Sequence, residues 1–158
     1  MIDLSPFRPQ DIDIVFAIQQ AAFKPLYEKY LDDETSPYKE SKETVLRKYT
    51  RPGTVGYLFL LDGTAVGTVR IGIDEENASG CVSALCVLPQ YQGRGIAQSA
   101  LAQIERLNPE IGRWTLDTIA QEPGNCHLYE KLGYRRTGKT EAVSGSMTIV
   151  FYEKRLTS

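Results

Sequence analysis

Histidine and tryptophan each occur once in this sequence, methionine twice and cysteine three times. One histidine (His127) and three scattered cysteines without C-x-x-C spacing exclude a structural zinc site, so no metal is expected. Cys81, Cys86 and Cys126 are odd in number, which argues against a disulfide framework and for a reduced, cytoplasmic setting. No apolar run approaches the ~20 residues of a membrane span, so no membrane partner is expected. The opening Met1-Ile2-Asp3-Leu4-Ser5-Pro6-Phe7-Arg8 lacks the basic and then apolar stretches of a secretion signal. Neither sign of charge dominates: 18 Lys and Arg stand against 20 Asp and Glu, for a net -2. Nucleic-acid binding by bulk charge is thereby excluded.

What remains is ordinary globular composition, 42% hydrophobic and 24% charged over 158 residues. That length predicts a single domain over 1–158, able to bury roughly two-thirds of its unfolded surface without covalent staples.

Strand and helix patterns alternate, which predicts a mixed α/β domain. Ile2–Arg8 reads as a first strand, and Asp11 as the cap of a helix carrying Ile12, Val15, Phe16, Ala22 and Phe23 on one face. Lys24–Pro37 comes next as a broken segment, with Pro25 and Pro37 as breakers, and Glu40–Tyr49 as a second helix. Val55–Leu61 and Ala65–Ile73 flank Asp62-Gly63, a strong hairpin signal. Cys81–Leu88 is a third strand of the series, Gly95–Leu107 an amphipathic helix and Trp114–Thr118 a short strand. Asn125–Leu132 is a short helix closed by Gly133, and strands over Tyr134–Lys139 and Met147–Leu156 end the chain.

The most informative segment runs Leu85-Cys86-Val87-Leu88-Pro89-Gln90-Tyr91-Gln92-Gly93-Arg94-Gly95-Ile96-Ala97. A buried strand ends at a proline, turns through glycines and opens a helix. Glycines admit close backbone approach, and the first helical turn has N–H groups without internal partners, so the pattern is an anion site. The P-loop pattern G-x-x-x-x-G-K-[ST] is absent. A dinucleotide fingerprint would need Gly or Ala where Gln98 stands, although Asp117 lies at a suitable distance; an NAD-dependent oxidoreductase is the weaker alternative.

Gln90-x-x-Gly93-x-Gly95 after Leu-x-Val-x-Pro resembles the acetyl-CoA-binding motif of the GNAT superfamily of N-acetyltransferases. Asn125-Cys126-His127-Leu128-Tyr129-Glu130-Lys131-Leu132-Gly133-Tyr134 resembles a second motif of that family, in the right order downstream. The resemblance implies an α/β (α+β) fold, a mixed, mostly antiparallel sheet of about seven strands flanked by about four helices. It implies acetyl-CoA as co-substrate and a primary amine of a small molecule or peptide as acceptor, joined by direct attack in a ternary complex. Backbone groups of Leu85, Cys86 and Val87 would pair with the pantetheine, Val87 N–H also facing the thioester oxygen. Amides of Gln92, Gly93, Arg94, Gly95, Ile96, Ala97 and Gln98 would hold the pyrophosphate, with Asn125 touching the cofactor or ordering the helix start. Tyr129 would stand near the cofactor sulfur as a proton or hydrogen-bond donor. A homodimer is implied by the resemblance alone.

The glutamate that many members carry on the glycine-loop strand is missing; Ser83 and Ala84 stand there. Asp117, Glu122, Asp33 and Glu34 are the substitutes for a general base. His127 lies two residues from Tyr129, off its helical face, and is read as exposed or satisfied rather than catalytic. On the acceptor side, Tyr27, Tyr30, Asp33 and Asp117 are the candidates for binding a cationic amine. The missing glutamate also keeps open a non-catalytic acyl-CoA sensor.

Overall fold

The computed structural model describes residues 2–156; Met1, Thr157 and Ser158 lie outside the described residues. In chain order the elements are β1 (Asp3–Pro6), α1 (Ile12–Tyr30), α2 (Lys42–Thr50), β2 (Thr54–Leu61), β3 (Thr64–Asp74) and β4 (Ser79–Val87). Then come α3 (Ile96–Leu107), β5 (Arg113–Ile119), α4 (Pro123–Lys131), β6 (Arg135–Ser144) and β7 (Met147–Arg155). The seven strands form one sheet in the order β1-β2-β3-β4-β5-β7-β6. Every neighbouring pair is antiparallel except β4 and β5. The seven-stranded, four-helix expectation holds.

Local chemistry places the elements. Asp62 and Gly63 both take positive φ, 50° and 82°, as the tight turn between two twisted strands requires. Ser41 caps α2 by accepting from the Thr44 N–H at 3.1 Å. Helices cover both faces of the sheet. Val69, Ile71, Leu101, Ile104 and Trp114 pack on one face, and Val15, Val45, Tyr49 and Leu58 on the other.

Gly67 shows how closely β3 and β4 meet. A Cβ there would sit 2.6 Å from the Cys86 carbonyl oxygen and 2.6 Å from Phe59 Cδ2. The backbone oxygen cannot turn aside, so Gly67→Ala is expected to cost about 2 kcal/mol. A lower urea midpoint with an unchanged slope would show it.

Two features of β4 shape the centre of the sheet. Its pairing with β5 covers only Ser79–Cys81 against Arg113–Thr115, after which the two parallel strands part. Its pairing with β3 slips by one residue between Ser83 and Cys86, so Ala84 and Leu85 together oppose Val69. Ala84 takes φ 50° at this bulge, an uncommon conformation for a residue with a Cβ.

Three expectations about local structure are corrected. Pro25 lies inside α1, which runs on to Tyr30. The carbonyl four residues back loses its helical partner, but Phe23 and Leu26 pack beside the sheet, lining a cavity there, and buried Tyr30 is tied to Glu122. Asp11 does not cap α1 with its side chain; its carboxylate accepts from the Arg8 N–H at 2.9 Å and closes the short turn Pro9–Asp11. The strand expected to end at Lys139 runs on through Thr140–Ser144 as β6.

Candidate active site

The loop from Leu88 to Gly95 joins β4 to α3 through two glycines in the left-handed conformation. Gly93 and Gly95 take φ of 79° and 76°, and Gly95 precedes α3 with no side chain capping the helix. A Cβ at either glycine would meet no protein atom within 4 Å, so both backbones border open space. The first intrahelical bond there runs from the Ser99 N–H to the Gly95 carbonyl, which leaves the preceding first-turn amides free to face a ligand. The Gln92 side chain donates through Nε2 to the Val87 carbonyl at 3.0 Å and fixes the loop against the strand end.

Ladder alternation orients the strand itself. The Leu88 N–H donates to the Val66 carbonyl at 2.8 Å, so positions 66 and 88 form a hydrogen-bonded pair. Positions 68 and 86 are then hydrogen-bonded and 67 and 87 are not. The Val87 N–H therefore points away from β3, into the gap that β5 has left. Cys86 turns its backbone to β3, so of the three predicted strand residues it is the one whose amide is already spent.

Two cavities, each of about 570 Å³, occupy this gap. The first lies over the glycine loop and the start of α3. All the predicted cofactor residues line it except Arg94, whose guanidinium stacks 5.3 Å from the Tyr91 ring centroid. His127 and Lys131, one turn apart on α4, line it as well. The second lies between the sheet, the C-terminal half of α1, and the segment 32–37. Phe23, Leu26, Leu85, Asn125 and Tyr129 border both cavities. Asn125 sits inside the first turn of α4, which opens at Pro123, so it does not serve as the helix cap.

Tyr129 is buried, its ring edge-on to Tyr134 at 6.1 Å and tilted against Tyr152 at 6.2 Å. Among the described residues none hydrogen-bonds its hydroxyl. Burial, and then the charge of Asp117, push its pKa well above the ordinary tyrosine value, so it stays a protonated donor at neutral pH. Burial also pushes the Cys86 thiol up to about 11, which keeps it protonated and a poor nucleophile.

The candidates for base and acceptor binding divide sharply. Asp117 lines the second cavity, accessible from it but walled by protein; this desolvation, and then the neighbouring Glu141, raise its pKa. Tyr27, Tyr30 and Asp33 do not line that cavity. The Tyr27 hydroxyl is hydrogen-bonded to Asp33, and its ring packs 5.2 Å from Tyr38. The Tyr30 hydroxyl donates to Glu122 at 2.5 Å, and Lys29 reaches the same oxygen at 2.7 Å. Burial raises the Glu122 pKa, but the bonds from Lys29 and Tyr30 outweigh it and hold the carboxyl below its ordinary value. Glu122 is thus a structural tie, whereas Asp117, with no cationic partner among the described residues, lies near Tyr129 and lines the second cavity.

Arg70, Glu40, Lys48, Lys139 and Glu141 also line the second cavity and were not singled out in the sequence. One signal was available for Arg70, a lone cation within the apolar run of β3. Among the described residues, no three His, Cys, Asp or Glu side chains group as metal ligands would. Among the described residues no helix is long and apolar enough to cross a membrane.

Known proteins resemble this chain in sequence and shape. The protein YrkN of Bacillus subtilis is 29% identical over 118 residues, covering 74% of this chain and 63% of YrkN. The aminoglycoside N(6')-acetyltransferase type 1 of Salmonella typhimurium is 24% identical over 108 residues, covering 63% of this chain and 68% of that enzyme. The matched part thus spans about two-thirds of these relatives' length. The crystal structure of the PaiA N-acetyltransferase from Thermoplasma acidophilum in complex with coenzyme A superposes with a TM-score of 0.79. It does so at 18% identity over 98% of this chain and 99% of that one, which shows the shared fold. The family model described as "Acetyltransferase (GNAT) family" matches residues 23–134, so the chain belongs to the GNAT family of acetyltransferases.

Proposed function

We propose that the protein moves an acetyl group from acetyl-CoA to a primary amine of a small molecule or peptide by direct attack in a ternary complex. The observation that carries this reading is the pair of cavities meeting at Leu85, Asn125 and Tyr129. Donor and acceptor can occupy them together, so no covalent acyl-enzyme is needed.

The residues fit the cofactor. Open space beside Gly93 and Gly95 and the uncapped start of α3 suit a pyrophosphate. Bound there, acetyl-CoA supplies an activated acetyl carbon and a thiol leaving group. The Val87 N–H is a fixed donor aimed into the gap, where it would stabilise charge developing on the carbonyl oxygen. Tyr129 holds a proton or hydrogen bond for the departing sulfur. Asp117 takes a proton from the acceptor ammonium, directly or through water, before the nitrogen attacks.

Calorimetric titration with acetyl-CoA, with NAD as control, and then thiol release over a panel of amines, tests the reading. Saturable acetyl-CoA binding and thiol release with an amine are the expected results. Binding without turnover would leave a sensor in place of an enzyme, and failure of a folded sample to bind acetyl-CoA would remove both.

The glycine loop gives a sharper expectation. Gly95→Ala adds a Cβ at φ 76°, strained for an L-residue, on the side where the ligand would lie. Acetyl-CoA affinity is expected to drop roughly tenfold, with a loss of about 1 kcal/mol in stability. Titration and a urea melt on one preparation measure both.

A further inference from the structure

The acceptor cavity carries charges of both signs, and most of the cations and anions do not cancel each other. Lys48 is committed to Glu40, whose other oxygen accepts from Gln19 Nε2 at 3.0 Å. Asp32 accepts from the Thr35 hydroxyl at 2.7 Å. Lys139 is held 4.5 Å over the Phe151 ring, toward the β6 edge. Asp117 and Glu141 have no cationic partner among the described residues.

Arg70 differs from all of these. It projects from β3 onto the face covered by α2, with its guanidinium 5.8 Å from the Tyr49 ring centroid, and it lines the cavity. No carboxylate among the described residues pairs with it. Its Nη1 is shut off from solvent without any hydrogen-bond partner. That nitrogen is enclosed by protein and out of a ligand's reach; the other two guanidinium nitrogens keep contact with solvent and make no hydrogen bond to the described protein, and the strongest partner for such a free guanidinium edge is a carboxylate or phosphate. Its register partner on β4 is Ser83, whose small side chain leaves the approach to Arg70 open. On the far side of the parted strands stands Asp117, suited to an ammonium group.

We propose that Arg70 is the specificity-determining residue of the acceptor cavity, and that the acceptor is a zwitterion carrying an anionic group, a carboxylate or phosphate, together with its amine. This rests on the acetyl-transfer function. Polyamines, cationic along their length, would place a like charge beside Arg70 and are disfavoured.

The test uses matched pairs of amines that differ only in the acid group: phenylalanine with phenethylamine, lysine with cadaverine, and phosphoethanolamine with ethanolamine. Spermidine is added, and kcat/KM is read by thiol release. The wild-type protein is expected to favour the acid-bearing member of at least one pair by tenfold or more. Arg70→Gln should bring that ratio close to one through a higher KM, and Arg70→Lys should restore part of it. Circular dichroism checks the fold of each variant; if Arg70→Gln does not fold, the Arg70→Lys ratio alone decides. Turnover without preference for the acid, preference unchanged in the variants, or turnover of spermidine alone would overturn the assignment of Arg70. Acetyl-CoA binding with no turnover of any amine would overturn the acetyl-transfer reading, and the zwitterion proposal with it.

Discussion

Tyr129→Phe is expected to lower kcat roughly 100-fold while leaving acetyl-CoA affinity within about twofold. The variant keeps the ring that packs between Tyr134 and Tyr152 and removes only the hydroxyl. That hydroxyl makes no bond to the described protein, so no buried partner is orphaned and the fold should tolerate its loss. Its raised pKa keeps the proton in place at neutral pH, ready for the leaving sulfur. Steady-state kinetics beside calorimetry separate the two effects, and an unchanged kcat would take Tyr129 out of the chemistry.

Asp117→Asn should be nearly as damaging, about 100-fold in kcat/KM at pH 7, and should alter the shape of the pH profile. A base works only when ionised, so the rate must fall as pH drops through the Asp117 pKa. Desolvation by the cavity walls raises that pKa first and Glu141 second, so the acid limb lies above the ordinary aspartate value. Glu141→Gln removes the second cause and is expected to move the limb to lower pH, short of the ordinary value because burial remains. The stability consequence has the opposite sense. A carboxyl with a raised folded pKa holds its proton more tightly when folded, so its ionisation destabilises the protein as pH rises through that pKa. Asp117→Asn should therefore melt no lower than the wild type at pH 7, with any advantage vanishing below the unfolded carboxyl pKa. An acid limb that Glu141→Gln does not move would show that another group sets the profile.

The cofactor side of this protein is legible in sequence because it is local. A strand, two glycines and a helix start are contiguous, and backbone amides would do the binding, so about a dozen residues in a row carry the signal. The second cavity is assembled from β3, β4, β5, β6, β7 and parts of α1, α2 and α4. Arg70, Asp117 and Glu141 are far apart in the chain, and only the sheet order brings them to one cavity. Tyr27, Tyr30 and Asp33 had the right chemistry for an amine site, but the fold uses them for ties of its own. Pro25 marks the limit of local rules in another way. A helix break worth about 3 kcal/mol in isolation is outweighed when residues beyond it are buried and anchored.

The sheet's borders have a consequence for how the molecule behaves in concentrated solution. One border strand, β1, is only four residues long and ends at Pro6. The other, β6, is nearly all exposed, carries Arg135, Arg136 and Lys139, and slips register twice against β7. Short length, proline, cationic side chains and irregular pairing all discourage a neighbouring molecule from extending the sheet. A homodimer of the sort the family resemblance implies would have to join through helices or loops. The unspent strand edge lies indoors, along β4 past Cys81, where β5 has turned away. Both outer borders are thus poor templates for sheet extension, and the backbone left unpaired by β5 lies inside the fold.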